Sequence, residues 1–504
     1  MDNHVYFQEL LEKAASFYKS IEADKVIRII AHLDADGIAS CGIFSRFLLA
    51  EKRKFVVSFV HDLRQEFLQK VGAEHYNYYL FLDLGSANLS GLEKKLPNKK
   101  ILVIDHCYAD KQVVVENEAG DAASAGNIVQ VNPYLVGIDG SKEISSAGMV
   151  YLLCAKINYG SMDEAVINSL GVLTLIGAIG DCQDSGGFTG INKILLDNAI
   201  EKNSITKSQG LTIITDMNQP VHKMLEYSIS QVLPGITGSE AESFNFLAGL
   251  GINPKHDNSW KVCAHLAEED ISKIKAALQN KFMDKSFISN LYGDNYHLTS
   301  NFALFGNNLR EISAIIKACG RMGNAQLGLR LFIGLGSLNN MVSVGDNATS
   351  NLASLAKKCS VEYRNKLLAA LSWYVKNKDS PNVMKGNGYF IVNLTSIRDF
   401  NANLLGKAIE IISISGEVQA NTLVLGLAVE NNFNVKVSLR YLGQDKESAP
   451  KLDRILKEIT EQINGEILGH RHVMGALIPR EKEMDFIKIA RKVLESRAME
   501  EIIR

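Results

Sequence analysis

At 504 residues, with 46% hydrophobic and 22% charged residues, the chain is too long for one ordinary domain and too apolar to stay unfolded; it has room for about two to four domains. A net charge of −2 gives no overall basic footprint for nucleic acid, although a local groove or bound cations escape such a count. Seven cysteines, odd in number and without a C-x-x-C pair, indicate neither a disulfide framework nor a zinc ribbon and point to a reducing cytoplasm.

Val5 to Ile21 reads as an amphipathic helix with Phe7, Leu10, Leu11 and Phe17 at its apolar positions, not as a secretion leader. Val26–Ala31, Tyr79–Leu82, Ile101–Ile104 and Ile128–Val131 read as strands buried on both faces, and Ser40–Ala50 and Ala147–Ile157 carry helical spacing. This alternation predicts an α/β fold with a doubly wound, mostly parallel sheet. Val166–Gly180 is apolar but shorter than the roughly 20 residues of a membrane span and runs into Asp181, so it predicts a buried helix and no membrane association. After Leu233–Glu240 the pattern turns mainly helical, and "KNKDSPNVMKGNG" at 376–388 reads as a linker. The expected blocks are 1–235, a middle helical or mixed region at 236–375, the linker 376–388, and an α/β domain at 389–504 that ends in the helix Glu483–Glu501.

Each strand of the first block is followed by polar residues: His32-Leu33-Asp34-Ala35-Asp36, then Asp83, then Asp105-His106, then Asn132-Pro133. In open α/β sheets ligands bind beyond the carboxyl ends of the strands, so these residues should gather along one rim, joined by Asp181. D-x-D-G alone is common in turns, and an Asp after a strand is usually a cap. Four carboxylates and two imidazoles converging on one rim instead match hard divalent cations, Mn²⁺ or Mg²⁺, which cancel the repulsion between the carboxylates. A pair of such ions about 3.5–4 Å apart supports in-line displacement at phosphorus.

"HLDADG", "FLDLGS", "IDHCY" and "IGDCQD", in that order, resemble motifs I to IV of the DHH phosphoesterase superfamily. "VKVSLR" and "LGHRHVMGA" resemble segments of its companion DHHA1 domain, and "FNFLAGLGI", "HLAEEDISKIKAAL" and "LREISAIIKACGRMG" resemble the archaeal RecJ-like branch that includes the GINS-associated nuclease. The resemblance implies that 1–235 is the DHH domain and 389–504 a DHHA1-like domain facing it across a cleft. It implies two metal ions, one held by His32, Asp34 and Asp83, the other by Asp36, Asp83, His106 and Asp181, with Asp105 orienting the neighbouring histidine or its loop. It implies phosphate binding by Ser438, Arg440, Gly469 and His470, where the planar fork of an arginine suits phosphate oxygens.

Cys107 stands where the family's second histidine lies close to the substrate phosphate, and Leu468 replaces the first glycine of the DHHA1 motif. Metal binding should survive, whereas loss of that imidazole should slow turnover by about 10²–10³. The activity implied is end-wise, metal-dependent hydrolysis of single-stranded DNA or RNA, linked to replication or repair in the cytoplasm. Two alternatives compete: a weakly active or inactive replisome scaffold binding GINS and the replicative helicase, and a phosphodiesterase of cyclic dinucleotides or short oligonucleotides. Arg321 in "ACGRMG" is open to two readings, phosphate contact or helix-end capping, and Cys182 to packing.

Overall fold

In the computed structural model the described residues are 3–107, 124–125, 127–158, 160, 162–213, 216–256, 259–281, 291–299, 306–335, 347–415, 418–443, 450–470 and 473–502. They form two compact units: Met1–Asp216 with Phe282–Ser360, and Met217–Lys281 with Val361–Arg504.

The first unit is built on β1 (Ile27–His32), β2 (Phe55–Val60), β3 (Tyr78–Leu82), β4 (Lys100–Ile104), β5 (Ser124–Ala125) and β6 (Ile128–Val131), ordered β2-β1-β3-β4-β6-β5. All neighbours are parallel except the short β5. Successive residues of β1, β3 and β4 enter different cores. Ile29, Leu80 and Leu102 join the larger cluster, while Ile30, Phe81 and Val103 join a second one with Leu68, Val71 and Leu92. A sheet covered on both faces favours apolar residues at nearly every position, which is why these strands read as near-continuous hydrophobic runs, broken in β1 by Arg28, which pairs with Glu74. β2 is different: it is an edge strand whose residues are mostly half-buried, and its pattern is correspondingly weaker in the sequence.

The larger core takes the helices Asn3–Lys19, Ala35–Ala50, Ser146–Ile157 and Glu164–Gly180. Leu309–Arg321 and Ala325–Leu335 return from late in the sequence to pack on them. Gly320 shows how close that return is, because a Cβ there would lie 1.5 Å from the Leu33 carbonyl oxygen. Ser313 Oγ also donates to the Ile176 carbonyl at 2.8 Å and Lys317 Nζ to the Gly180 carbonyl at 2.7 Å, so this helix is fastened to the end of Glu164–Gly180. β7 (Ile205–Leu211) pairs antiparallel with β10 (Tyr292–Leu298) in the same unit.

The second unit contains the helices Val221–Glu226, Glu240–Gly249 and Glu268–Lys281, the pair β8 (Lys255–His256) and β9 (Ser259–Trp260), and a separate mixed sheet. That sheet is ordered β11-β12-β13-β14-β16-β15, with β11 (Val383–Gly386), β12 (Tyr389–Asn393), β13 (Thr422–Val429), β14 (Asn434–Leu442), β15 (Glu466–His470) and β16 (Val473–Pro479). Only β12 and β13 pair in parallel among these described strands. Leu452–Thr460 and Glu483–Ile502 supply Leu456, Ile459, Phe486 and Leu494 to its core. The fold is therefore α/β with a five-strand parallel sheet and a second, mixed one. No helix among the described residues is long and apolar enough to cross a membrane.

The contact at Gly320 has a measurable consequence. Gly320→Ala should lower stability by about 1–3 kcal/mol, because backbone must move to admit the methyl group. Gly334→Ala, with nothing within 4 Å of its Cβ position, should be neutral or stabilise by about 0.5 kcal/mol. Thermal melts of both variants check the pair; equal melting temperatures would contradict the tight seat at Leu33.

Candidate metal centre

The loop after β1 does two jobs with one residue. Asp34 is the N-cap of Ala35–Ala50, its Oδ1 accepting from the Gly37 amide at 3.1 Å, a bond typically worth about 1 kcal/mol. Its other oxygen, Oδ2, lies 2.9 Å from His32 Nδ1. One oxygen thus caps the helix while the other faces His32. Two residues on, Asp36 is fully buried and accepts from the amides of Ser146 at 2.7 Å and Ala147 at 3.1 Å, in the first turn of Ser146–Ile157. Gly177 makes room for it: a Cβ there would sit 2.4 Å from Asp36 Oδ1.

Asp83 follows β3 in left-handed backbone (φ 63°), a conformation that costs a non-glycine residue about 1–2 kcal/mol but that Asp adopts more readily than most. Its Oδ2 lies 3.3 Å from His32 Nδ1 and its Oδ1 lies 3.4 Å from His106 Nε2. His106 Nε2 also approaches Asp181 Oδ2 at 3.1 Å and Asp36 Oδ2 at 3.9 Å. Asp181 is the residue that ends the apolar helix Glu164–Gly180. Two donor groups result, Asp36-Asp83-His106-Asp181 and His32-Asp34-Asp83, each with its ligand atoms within 4.8 Å of one another, and Asp83 belongs to both.

The surroundings fix the tautomer of His106. Its Nδ1 lies 2.6 Å from the Gly140 carbonyl oxygen, which can only accept, so Nδ1 carries a hydrogen and Nε2 is the nitrogen that would offer a lone pair to a metal ion. Gln183 Nε2 donates to the same carbonyl at 3.0 Å and holds that loop. Nε2 therefore faces carboxylate oxygens. Asp83 Oδ1 is buried and makes no hydrogen bond, with His106 Nε2 3.4 Å away. A divalent cation resolves this directly, and the mixed oxygen and imidazole donor set suits Mn²⁺ or Mg²⁺. The residues fit a metal.

The acid-base properties agree. Burial raises Asp83 well above the usual carboxylate range, reinforced by the charges of Asp34 and Asp36. Burial and the charge of Asp181 push Asp36 up to about 7. For Asp34 burial is overcome by the charge and hydrogen bond of His32 and by the charge of Arg321, leaving it well below that range. His106 and His32 are raised, burial being outweighed by their carboxylate neighbours.

Asp105 holds the next loop, accepting from the Ser86 amide and the Cys107 amide at 2.9 Å each. Burial, then the charge of Asp105, raises the Cys107 thiol well above its ordinary value, so it is a neutral thiol. Asn132 donates to the Cys107 carbonyl at 2.9 Å. In the second unit, Ser438 and Arg440 lie two apart on β14, each with an atom within 4 Å of a Cβ built at Gly406. Arg440 Nη1 is 3.5 Å from Glu410 Oε2. Gly469 and His470 are in β15, where Val473 pairs with both Arg440 and His470, but only the backbone of Gly469 and His470 is described.

Sequence reasoning missed Gln183, Gly140 and a pair after β2. His61 Nδ1 lies 2.6 Å from Asp62 Oδ2, and the His61 ring is 6.1 Å from that of His32. Arg321 Nη1 is 2.9 Å from His61 Nε2. The signal was present, a polar pair directly after an apolar run, but "FVVSFV" was not read as a strand. Cys182, read as a packing residue, is exposed and left-handed at φ 58°.

Residues 215–290 match the model of the DHH-CID domain. The chain has a RecJ-like fold. A crystal structure of CDC45 from Entamoeba histolytica superposes with a TM-score of 0.65 at 15% identity, over 97% of this chain and 99% of that one. Exonuclease RecJ bound to manganese superposes at 0.56 and 16% identity, over 97% and 94%. An uncharacterized protein of Methanocaldococcus jannaschii is 27% identical over 309 residues, 60% of this chain and 63% of the relative, so less than two thirds of the relative's length is matched.

These shifts fix a pH and metal dependence. Asp36 and Asp83 have folded values above their unfolded ones, so their contribution to stability is present near pH 4 and is lost as the pH rises toward and past 7. The raised histidines lose stability in the same direction as the pH passes through their folded values. The metal-free protein should melt lower at pH 8 than at pH 5.5, and saturating Mn²⁺ should raise the melting temperature more at pH 8. Calorimetry at the two pH values checks both; a flat, Mn²⁺-insensitive profile would contradict the centre.

Proposed function

We propose that this protein is a divalent-metal-dependent phosphodiesterase that trims single-stranded nucleic acid from an end. The observation that carries the reading is the convergence of four aspartates and two histidines around Asp83, one oxygen of which is buried without a hydrogen bond. A purely structural role gives no reason to bury such a set, since each uncompensated charge costs several kcal/mol. The RecJ neighbour, an exonuclease with manganese, shares the fold and supports the assignment. Bound Mn²⁺ or Mg²⁺ would supply Lewis acidity and activate water there.

The chain's own residues would do the rest. Asp34, Asp36, Asp83, Asp181, His32 and His106 would hold two ions, with Asp83 common to both. Asp105 would keep the Cys107 loop in place through the Ser86 and Cys107 amides. Arg321, whose charge is felt by both His32 and Asp34, would meet a phosphate oxygen. Ser438, Arg440, Gly469 and His470 would bind further phosphates of the strand. Membership of the archaeal GINS-associated branch, and a place in replication or repair, belong to the same reading.

The CDC45 neighbour favours a second reading, a scaffold that binds GINS and the replicative helicase. End-labelled single-stranded DNA and RNA, each labelled at either end, separate the two. With Mn²⁺ the wild type should shorten strands progressively from one end, and Asp83→Ala should be slower by at least about 10²-fold. Cys107→His should accelerate turnover by at least tenfold, within the roughly 10²–10³ that one stabilising donor contributes. Intact strands with Mn²⁺ demonstrably bound would leave the scaffold reading. Cleavage confined to dinucleotides would mean a short-oligonucleotide phosphodiesterase.

A further inference from the structure

We propose that Asp62 and His61 are positioning residues that aim Arg321, forming with it a preset binding site for a phosphate oxygen beside the His32 end of the metal centre. The inference rests on the phosphodiesterase reading for its substrate, but its geometry is independent of that reading. Asp62 Oδ2, 2.6 Å from His61 Nδ1, is an acceptor and places the ring hydrogen on Nδ1. Nε2 is then left with a lone pair, which is what the Arg321 guanidinium needs as a partner at 2.9 Å. The other tautomer would set N–H against N–H. The carboxylate thus selects the one state of the imidazole that can accept from the arginine.

The three residues reach one place from distant parts of the chain. His61 and Asp62 directly follow the edge strand β2, which pairs in register with β1 so that Val60 lies opposite His32. Arg321 is the last residue of Leu309–Arg321, a helix whose preceding residue, Gly320, is pressed against the Leu33 carbonyl between His32 and Asp34. The arginine's backbone is therefore fixed by packing and its guanidinium by an imidazole. A long side chain held at both ends loses little further freedom when it takes an anion, and a guanidinium keeps other N–H donors after giving one to His61.

The reading of Arg321 as a helix-end cap gives no reason for a carboxylate-backed histidine at its tip. Neither His61 nor Asp62 is among the donors that group around Asp83, so both can be changed without removing a candidate metal ligand.

The test uses full-length protein loaded with Mn²⁺, with inorganic phosphate as the probe. Phosphate affinity is read from Mn²⁺-induced broadening of its phosphorus resonance, and Mn²⁺ affinity is read separately by titration calorimetry. His61→Leu removes the acceptor and should weaken phosphate binding by about tenfold, the scale of one hydrogen bond to a charged group. Mn²⁺ affinity should stay within about twofold, since no donor is lost. His61→Gln retains an acceptor oxygen and should recover most of the loss. Asp62→Ala should weaken phosphate binding without touching the ring, which keeps the test open if His61→Leu does not fold. Adding His61→Leu to Arg321→Lys should cause no further loss, because the histidine acts through the arginine.

Unchanged phosphate binding in both His61→Leu and Asp62→Ala, or losses that simply add to that of Arg321→Lys, would overturn the proposal. If phosphate binding follows the expected order while labelled strands stay intact, the nuclease reading fails and the positioning pair stands. If strands are cut and His61→Leu cuts and binds phosphate like wild type, the pair fails and the nuclease reading stands.

Discussion

The constraint on which the first unit turns is that several carboxylates are buried within reach of one another around Asp83. Repulsion among Asp34, Asp36, Asp83 and Asp181 is not relieved by hydrogen bonds alone, since one oxygen of Asp83 has none. The protonated forms toward which Asp36 and Asp83 are driven provide one relief and a cation provides the other. Only the second leaves the carboxylates ionised at neutral pH. Local charge balance thus links the fold to its chemistry.

Backbone groups hold this arrangement in place. Asp34 spends one oxygen on a helix cap, Asp36 takes two amides from the start of another helix, and Asp105 takes two loop amides without joining the cluster. Each amide bond fixes a carboxylate rotamer and stabilises its charge, which lowers the free energy needed to assemble the set. Glycines set the spacing. Gly177 admits the Asp36 carboxylate against a helix, and Gly320 lets a late helix seat on the β1 loop. The centre is a property of the packed unit and not of the "HLDADG" turn alone.

Much of this was legible in the sequence, for a physical reason. Strands covered on both faces are apolar at nearly every position, so β1, β3, β4 and β6 stand out as runs despite Arg28 and Gln130, and the polar residue after each run marks the rim. The donors grouped around Asp83 are the six the sequence singled out. β2 escaped because an edge strand has only half its surface to bury, and His61-Asp62 escaped with it. Gly140 and Gln183 escaped because their work is done by a carbonyl and an amide with no motif of their own. The return of Leu309–Arg321 to the first unit was equally hidden, since a helix's partner is chosen by shape and small residues, not by period. Gly469 and His470 rest on resemblance and strand register alone.

A shared fold does not decide between catalysis and scaffolding, because the same architecture is found in the CDC45 and RecJ neighbours. The decision lies with individual atoms. A chain under no demand to bind metal gains stability whenever a buried carboxylate is replaced by an apolar or neutral side chain of similar volume, since the desolvation penalty disappears with the charge. In this chain Asp34, Asp36 and Asp83 stay buried with the half-buried Asp181 beside them, and a carbonyl holds His106 Nδ1 so that Nε2 points at them. The buried Asp83 Oδ1 gains a partner when a cation occupies the space between the donors, which is why the chemistry of this site, more than its fold, argues for a bound metal.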